Sequence, residues 1–404
     1  MKVIIEKGKA KGFVEAPPSK SMAHRLLICA GLSKGTCTVR GISESEDVLA
    51  TIDCLKAIGA TCERNDDSIT VKGVDIKKAI PDGILPCRES GSTLRFFIPI
   101  CLVTGANTLL SGSERLMERP LGIYETLCAE RGLFFSQDTN SLMVKGPLKS
   151  GSFKLAGNVS SQFTSGLLFA LPLLKGDSTV TIVPPIESRS YIDMTISALK
   201  VFGVDVQWKD ENTIYIPGNQ EYYAEEACVE GDYSNAAFFE ALNALGGQVE
   251  VGNLSPESIQ GDKVYGKMFD QLQSGTPILN ISDCPDLGPI LFAVAAAKNG
   301  GVFSGTSRLK IKESDRGEVM AKELRKFGVS ATVYDDEIII YPAQFRPPTE
   351  ALLGYNDHRI VMSEAILLTT TGGVIEGAEA VTKSFPEFFQ KLIDLGIEVK
   401  QIEN

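Results

Sequence analysis

Residues 161–183 read SQFTSGLLFALPLLKGDSTVTIV, and this stretch decides the fold. Gln162–Leu174 is an apolar helical run, Gly176 marks a turn, and Ser178–Val183 has the β-branched alternation of a strand. A second, amphipathic helix is expected over Ile192–Phe202, with Gly203 suited to a left-handed C-cap. A hairpin then closes the unit, Asp205–Trp208 with Thr213–Ile216, turned at Asp210-Glu211-Asn212. The same order recurs along the whole chain. The turn glycines are Gly35, Gly105, Gly176, Gly246, Gly300 and Gly372, at separations of 70, 71, 70, 54 and 72 residues. A fixed period means one supersecondary unit used six times.

The other copies fill in the pattern. First helices include His24–Leu32, and their strands include Thr36–Val39. Second helices include Val48–Ile58 and Glu318–Phe327, and Gly59, Gly132, Gly328 and Gly396 are further C-caps. Hairpins pair Thr61–Glu63 with Ser68–Val71 and Ser330–Tyr334 with Glu337–Tyr341. The fourth unit is short, because Val264–Leu272 runs quickly into Thr276–Ile281. The sixth stops after one strand, Glu398–Ile402, and the opening strand Lys2–Lys7 is placed to supply its partner. The chain then crosses between domains twice, near Lys11–Pro18 and Val229–Ser234. We expect one domain over residues 13–231 and another from 1–12 plus 232–404, with the two crossover strands as the hinge.

Composition narrows the function. A chain of 404 residues, 43% hydrophobic and 23% charged, is an ordinary globular one. Its formal net charge of −11 argues against nucleic acid or an anionic membrane as partner. An anion site must therefore be a local cluster of Lys and Arg. Nine cysteines without a C-x-x-C pair read as free buried thiols, and two histidines leave no His-based metal site. The start, MKVIIEKGKAKG, has no apolar core of a secretion signal, and the longest apolar stretch, Phe96–Val103, is too short to span a bilayer. A cytoplasmic monomer is expected.

Polar and cationic residues gather where the helical runs begin. Pro17-Pro18-Ser19-Lys20-Ser21 leads to Arg25, with Ser19 or Ser21 as cap. Arg88-Glu89-Ser90-Gly91 precedes the second run, and Gly91 would let backbone approach a ligand. Arg119 precedes Pro120, which suits the first position of a helix. Ser160-Ser161-Gln162 opens the third run, and Ser188-Arg189-Ser190 follows one element later. Asp286 stands at the head of an apolar helix, where it is either an N-cap or a general base. Alternation puts Arg308, Lys310 and Lys312 on one strand face, followed by Glu313 and Arg316. Asp357-His358-Arg359 and Lys383-Ser384-Phe385-Pro386 complete the set. A capped, solvated helix end accounts for each segment alone. Their recurrence at one structural position suggests a site for multiply charged anions.

These segments resemble the enolpyruvyl transferase family. SKS-x-x-x-R, ERP, SSQF, KESDR, NDHR and KSFP occur in the family's order between about Val3 and Phe389. The resemblance implies an α/β fold of two similar domains, each three βαβαββ units around a pseudo-threefold axis, an inside-out α/β barrel. It implies transfer of the enolpyruvyl group of phosphoenolpyruvate to the 5-hydroxyl of shikimate 3-phosphate, without metal or organic cofactor, in an interdomain cleft that shuts on the first substrate. Carried over by position, Lys20, Ser21, Arg25, Ser160, Ser161, Gln162, Ser188, Asp286 and Lys312 hold shikimate 3-phosphate. Lys20, Gly91, Arg119, Gln162, Arg316, Arg359 and Lys383 hold phosphoenolpyruvate. Asp286 is the proton acceptor at the 5-hydroxyl, and Glu313 and Lys20 are the other proton-transfer groups.

The chain departs from the commoner pattern at Glu89 and His24, where many members have Asn, at Arg308, where some have Asn, and at Arg189-Ser190 in place of Lys-Pro. Glu89 bears on sensitivity to the anionic inhibitor glyphosate. The nearest rival is the sister branch acting on UDP-N-acetylglucosamine, disfavoured because Gly112–Arg119 lacks that branch's loop cysteine. A non-catalytic anion-binding protein of the same fold is the other alternative, against which Asp286 and Glu313 weigh.

Overall fold

The computed structural model describes residues 1–79 and 83–402. The chain divides into two compact units: a continuous one, Pro18–Glu230, and a split one, Met1–Pro17 with Gly231–Asn404.

The continuous unit contains three four-stranded sheets of one design. In the third, Ser152–Ala156 runs parallel to Ser178–Val183, which pairs antiparallel with Thr213–Ile216, and that strand pairs with Gln207–Trp208. The second sheet repeats this with Ile84–Pro86, Asn107–Ser111, Ser141–Lys145 and Phe134–Gln137. In the first, Glu226–Cys228 from the end of the unit supplies the parallel strand beside Thr36–Arg40. Each sheet thus needs a neighbour's segment to be complete, which ties successive repeats together.

The first helices of the repeats form the interior. Lys20–Gly31, Gly91–Leu102 and Ser161–Ala170 are buried on nearly all sides, as the apolar runs require. Gly91–Leu102 lies along Ser161–Ala170, with Phe96 edge-on to Phe169 at 5.3 Å. Gly166 makes that approach possible. A Cβ there would lie 2.3 Å from the Tyr124 hydroxyl and 2.5 Å from the Arg95 carbonyl oxygen. The Tyr124 hydroxyl is itself 2.9 Å from the carbonyl oxygens of Arg95 and Phe163, so it has little room to give.

In the split unit, Lys2–Ile5 lies between Gly373–Glu376 and Val399–Ile402, antiparallel to both. The opening strand is therefore the partner that the sixth repeat lacked. A second sheet is built from Ile278–Asn280, Gly301–Ser304, Glu337–Ile340 and Ala331–Val333. The short fourth repeat contributes only Gln248–Gly252, which pairs in parallel with Lys11–Glu15. That pairing puts residues 13–17 in the split unit, whereas the expected boundary gave them to the other domain. Gly231 likewise falls in the split unit. The core helices here are Gly288–Ala297 and His358–Thr371.

The predicted elements recur with shifted ends: the helices expected from His24 and Val48 begin at Lys20 and Glu46, and several strands are shorter. The run Gln162–Leu174 is helical to Ala170 and then tightens into a 3-10 turn, Leu171–Leu173, because Pro172 has no N–H to give. The expected segments Asp205–Trp208 and Thr276–Ile281 shrink to the strands Gln207–Trp208 and Ile278–Asn280. The five C-cap glycines Gly59, Gly132, Gly203, Gly328 and Gly396 all take positive φ, between 65° and 102°. All nine cysteines are free and seven are buried. Among the described residues no helix is long and apolar enough to cross a membrane.

Gly166→Ala tests the helix contact. It is expected to destabilise the protein by about 1–3 kcal/mol in a denaturant titration, through overpacking against fixed backbone. An unchanged midpoint would contradict the close approach.

Candidate functional site

In the continuous unit, Ser19 and not Ser21 caps the first helix, its hydroxyl accepting from the Met22 N–H at 3.4 Å. Lys20, the first helical residue, pairs with Asp47 at 2.7 Å. Arg25 is one turn further on and only 2% exposed. Its guanidinium donates to the carbonyls of Ser21 (2.6 Å) and Tyr191 (2.9 Å) and to the Thr195 hydroxyl (2.8 Å). These acceptors are neutral, and burial pulls its pKa down to about 10. Arg25 is thus a buried cation that faces no carboxylate of its own unit.

Arg119 is the second such cation. It is buried, its Nε finds no hydrogen-bond partner, and a Cβ on Gly91 would sit 2.6 Å from its guanidinium. Any larger residue at Gly91 would have to displace that guanidinium. Pro120 is not the first residue of a helix. Arg119 instead terminates the short helix Glu114–Glu118, and the next helix begins at Gly122. A cation following a helix is favoured by the dipole.

Gln162 is held from two sides. Its Oε1 accepts from Arg95 at 2.8 Å and its Nε2 donates to the Ser92 hydroxyl at 2.9 Å. Ser160 caps this helix, accepting from the Gln162 N–H at 3.3 Å, and Ser161 is buried behind it. Ser188 has φ 56°, a left-handed conformation rare for serine, at the start of helix Arg189–Val201.

In the split unit, the constellation centres on Arg316, which is 1% exposed. It donates to Asp286 (2.8 Å), Glu313 (2.8 Å) and Asp357 (2.9 and 3.2 Å). Lys312 also reaches Asp286, at 3.1 Å. Asp357 accepts in addition from the Ser314 hydroxyl (2.9 Å) and from the Arg359 backbone N–H (3.0 Å), so it is cap and counter-ion at once. Arg359 donates to the Ser234 carbonyl at 3.0 Å, while its Nε is buried without a partner. Lys383 donates to the carbonyl of Asn356, one residue before Asp357, at 2.6 Å.

Two expectations fail here. Asp286 is not an N-cap, since it lies in a 3-10 turn, Pro285–Leu287, and its carboxylate faces Lys312 and Arg316. Arg308–Lys312 is not a strand. Ser307–Ile311 is a 3-10 turn, which buries Arg308, exposes Lys310 and leaves Lys312 to face Asp286.

The charges set the proton affinities. Burial pushes Asp286 upward, but Lys312, Arg316 and Arg359 outweigh it and hold its pKa well below the usual carboxylate range. Burial also lowers Lys312 below an ordinary lysine, against the pull of Asp286. Arg316 resists burial and is raised, chiefly by Asp357, Glu313 and Asp286. Asp262 was missed by the sequence reading. It is 3% exposed, and its pKa is raised to about 6 by burial and then by Asp286. Nothing in Gln260-Gly261-Asp262 distinguishes it from a loop carboxylate before folding. Arg95, which opens the second run with Gly91, stands one turn after it on the same helix and holds Gln162.

Asp262 yields a pH prediction. A carboxyl raised in the folded state contributes stability that is fully present below its unfolded value and is lost as pH rises through about 6. Asp262→Asn should therefore stabilise the protein at pH 8 by about 1–3 kcal/mol, with the gain vanishing by about pH 4. A gain that grew on acidification, read from denaturation midpoints, would contradict the assignment.

Comparison with known proteins bears on the family and the fold. A family model described as EPSP synthase (3-phosphoshikimate 1-carboxyvinyltransferase) matches residues 5–392. A 3-phosphoshikimate 1-carboxyvinyltransferase of Clostridium acetobutylicum is 39% identical over 413 residues, 97% of this chain and 96% of that protein. The Clostridium kluyveri protein of the same name is 36% identical over 423 residues, 99% and 98% of the two chains. Among solved structures, an EPSP synthase of Acinetobacter baumannii has a TM-score of 0.78 at 24% identity, covering 99% of this chain and all of that one. The enolpyruvyl transferase NikO of Streptomyces tendae scores 0.77 at 12% identity, covering 99% and 98%. At these identities the two structures bear on the fold alone.

Proposed function

The chain belongs to the EPSP synthase family, and we propose that it transfers the enolpyruvyl group of phosphoenolpyruvate to the 5-hydroxyl of shikimate 3-phosphate, releasing phosphate. The oxygen of the 5-hydroxyl attacks C2 of phosphoenolpyruvate while C3 gains a proton, which gives a tetrahedral ketal. Loss of a proton from C3 and of phosphate from C2 then restores the double bond.

The observation that carries the reading is the Asp286–Arg316–Glu313 constellation, with two carboxylates on one buried guanidinium. Asp286 accepts the proton of the 5-hydroxyl. In the free protein it is a weak base, because Lys312 and Arg316 stabilise its anion. Substrate anions that draw those cations away raise its basicity, so the base strengthens when there is something to deprotonate. Glu313 and Lys20 serve proton transfer at C3. Arg316 and Arg359 hold phosphoenolpyruvate, with Lys20, Gly91, Arg119, Gln162 and Lys383 completing its contacts. Lys20, Ser21, Arg25, Ser160, Ser161, Gln162, Ser188 and Lys312 hold shikimate 3-phosphate. Arg25 and Arg119, buried cations that face no carboxylate, suit these roles because a substrate phosphate or carboxylate supplies the missing charge. The reading includes a monomer acting in the cytoplasm.

Purified protein should release phosphate only when both phosphoenolpyruvate and shikimate 3-phosphate are present. Release with UDP-N-acetylglucosamine in place of shikimate 3-phosphate would overturn the substrate assignment. Asp286→Asn and Lys20→Ala should each lower kcat by about 10²–10⁴-fold with the circular dichroism unchanged. Arg119→Ala should raise the KM for phosphoenolpyruvate by about one to two orders of magnitude. Full turnover by the folded Lys20→Ala protein would refute its role.

A further inference from the structure

A buried chain of hydrogen bonds joins the two anion-seeking segments of the continuous unit, and no step described above uses it. His24 Nδ1 lies 2.7 Å from the Thr51 hydroxyl, which lies 2.7 Å from the Thr93 hydroxyl. The Thr93 hydroxyl donates to Ser90 Oγ at 2.8 Å, and Ser90 Oγ also accepts from the Thr93 N–H at 3.3 Å as cap of helix Gly91–Leu102. All four side chains are at most 1% exposed.

The polarity of this chain follows by elimination. A hydroxyl has one proton to donate. Thr93 spends its proton on Ser90, so Thr51 donates to Thr93. Thr51 then has none left for His24, so His24 Nδ1 carries the proton and donates. Nε2 is left as a bare acceptor, and it has no partner in the structure. The imidazole is thus neutral, as burial first and then Lys20 and Arg25 dictate.

Thr51 sits on helix Glu46–Ala57, and that helix touches both segments. Toward the first, Asp47 pairs with Lys20 at 2.7 Å and Thr51 meets His24. Toward the second, Glu46 and Asp53 pair with Arg88, Asp53 at 2.6 Å, and Thr51 meets Thr93. The helix is a brace with Thr51 at its centre. One end fixes the start of the helix that carries Lys20 and Arg25. The other fixes the Arg88–Gly91 turn, where Gly91 rests on Arg119.

We propose that Thr51 is a positioning residue: its hydroxyl locks the Lys20–Arg25 helix start to the Arg88–Gly91 turn, so that the two anion-binding segments keep a fixed spacing. Which anions bind there rests on the functional reading above. The spacing itself rests on the hydrogen bonds.

Thr51→Val removes the hydroxyl at nearly constant volume, and Thr51→Ser keeps it. Thr51→Val should raise the KM for both substrates about tenfold, the cost of one buried hydrogen bond, with kcat within about twofold of wild type. Thr51→Ser should restore both KM values. Unchanged KM values in Thr51→Val, or equal impairment in Thr51→Ser, would overturn the proposal. If Thr51→Val does not fold, Thr93→Val cuts the same chain one link on and should show the same rise. An independent readout comes from the imidazoles. With two histidines in the chain, a long-range proton–nitrogen spectrum is assignable by His358→Gln. His24 should be the Nδ1–H tautomer, and an Nε2–H tautomer would overturn the chain's polarity. A wild-type protein without turnover would fault the functional reading instead, leaving the spectrum to judge the brace.

Discussion

A guanidinium taken out of water must find negative charge, and the protein meets that demand in two ways. Arg316 is 1% exposed and satisfied from within, by Asp286, Glu313 and Asp357. Arg25 and Arg119 are about as deeply buried and face neutral acceptors or none. The split unit therefore holds a compensated cluster, in which an incoming anion must compete with resident carboxylates. The continuous unit holds cations that an incoming anion would complete. The first arrangement holds Asp286 far below the usual carboxylate range, and the second leaves Arg25 and Arg119 facing no carboxylate.

That division accounts for the proton chemistry. A carboxylate held far below its ordinary pKa is a poor base, and Asp286 is held there by the groups an anionic substrate would engage. Asp262 is displaced in the opposite direction by burial and by Asp286 itself. Two neighbouring carboxyls with proton affinities pushed apart can divide the roles of anion and acid between them.

The repeat was legible because it is written in local chemistry. Glycines that take positive φ, apolar runs and alternating hairpins each report their own conformation, and Gly59, Gly203 and Gly328 cap helices as read. The pairing of Lys2–Ile5 with Val399–Ile402 followed from counting what the sixth repeat lacked. Illegible were features set by tertiary contacts. Alternation in Arg308-Leu309-Lys310-Ile311-Lys312 mimics a strand, yet the segment turns as a 3-10 helix and aims Lys312 at Asp286. Pro120 carries the signature of a helix start, but the helix begins at Gly122. Thr51 looks like an ordinary residue in an amphipathic helix, and its partners, His24 and Thr93, are 27 and 42 positions away. No window of neighbouring sequence contains such a relation.

The central position of Lys2–Ile5 constrains how the molecule is made. Its sheet partners lie near residues 375 and 400, so during synthesis this strand must wait, without those partners, until some 370 further residues have been added. Pro18–Glu230 has no such dependence, since its latest sheet partner is Glu226–Cys228. In the nascent chain the continuous unit can thus be completed before the split one, and the ribosome sets an order of assembly that the finished fold no longer displays.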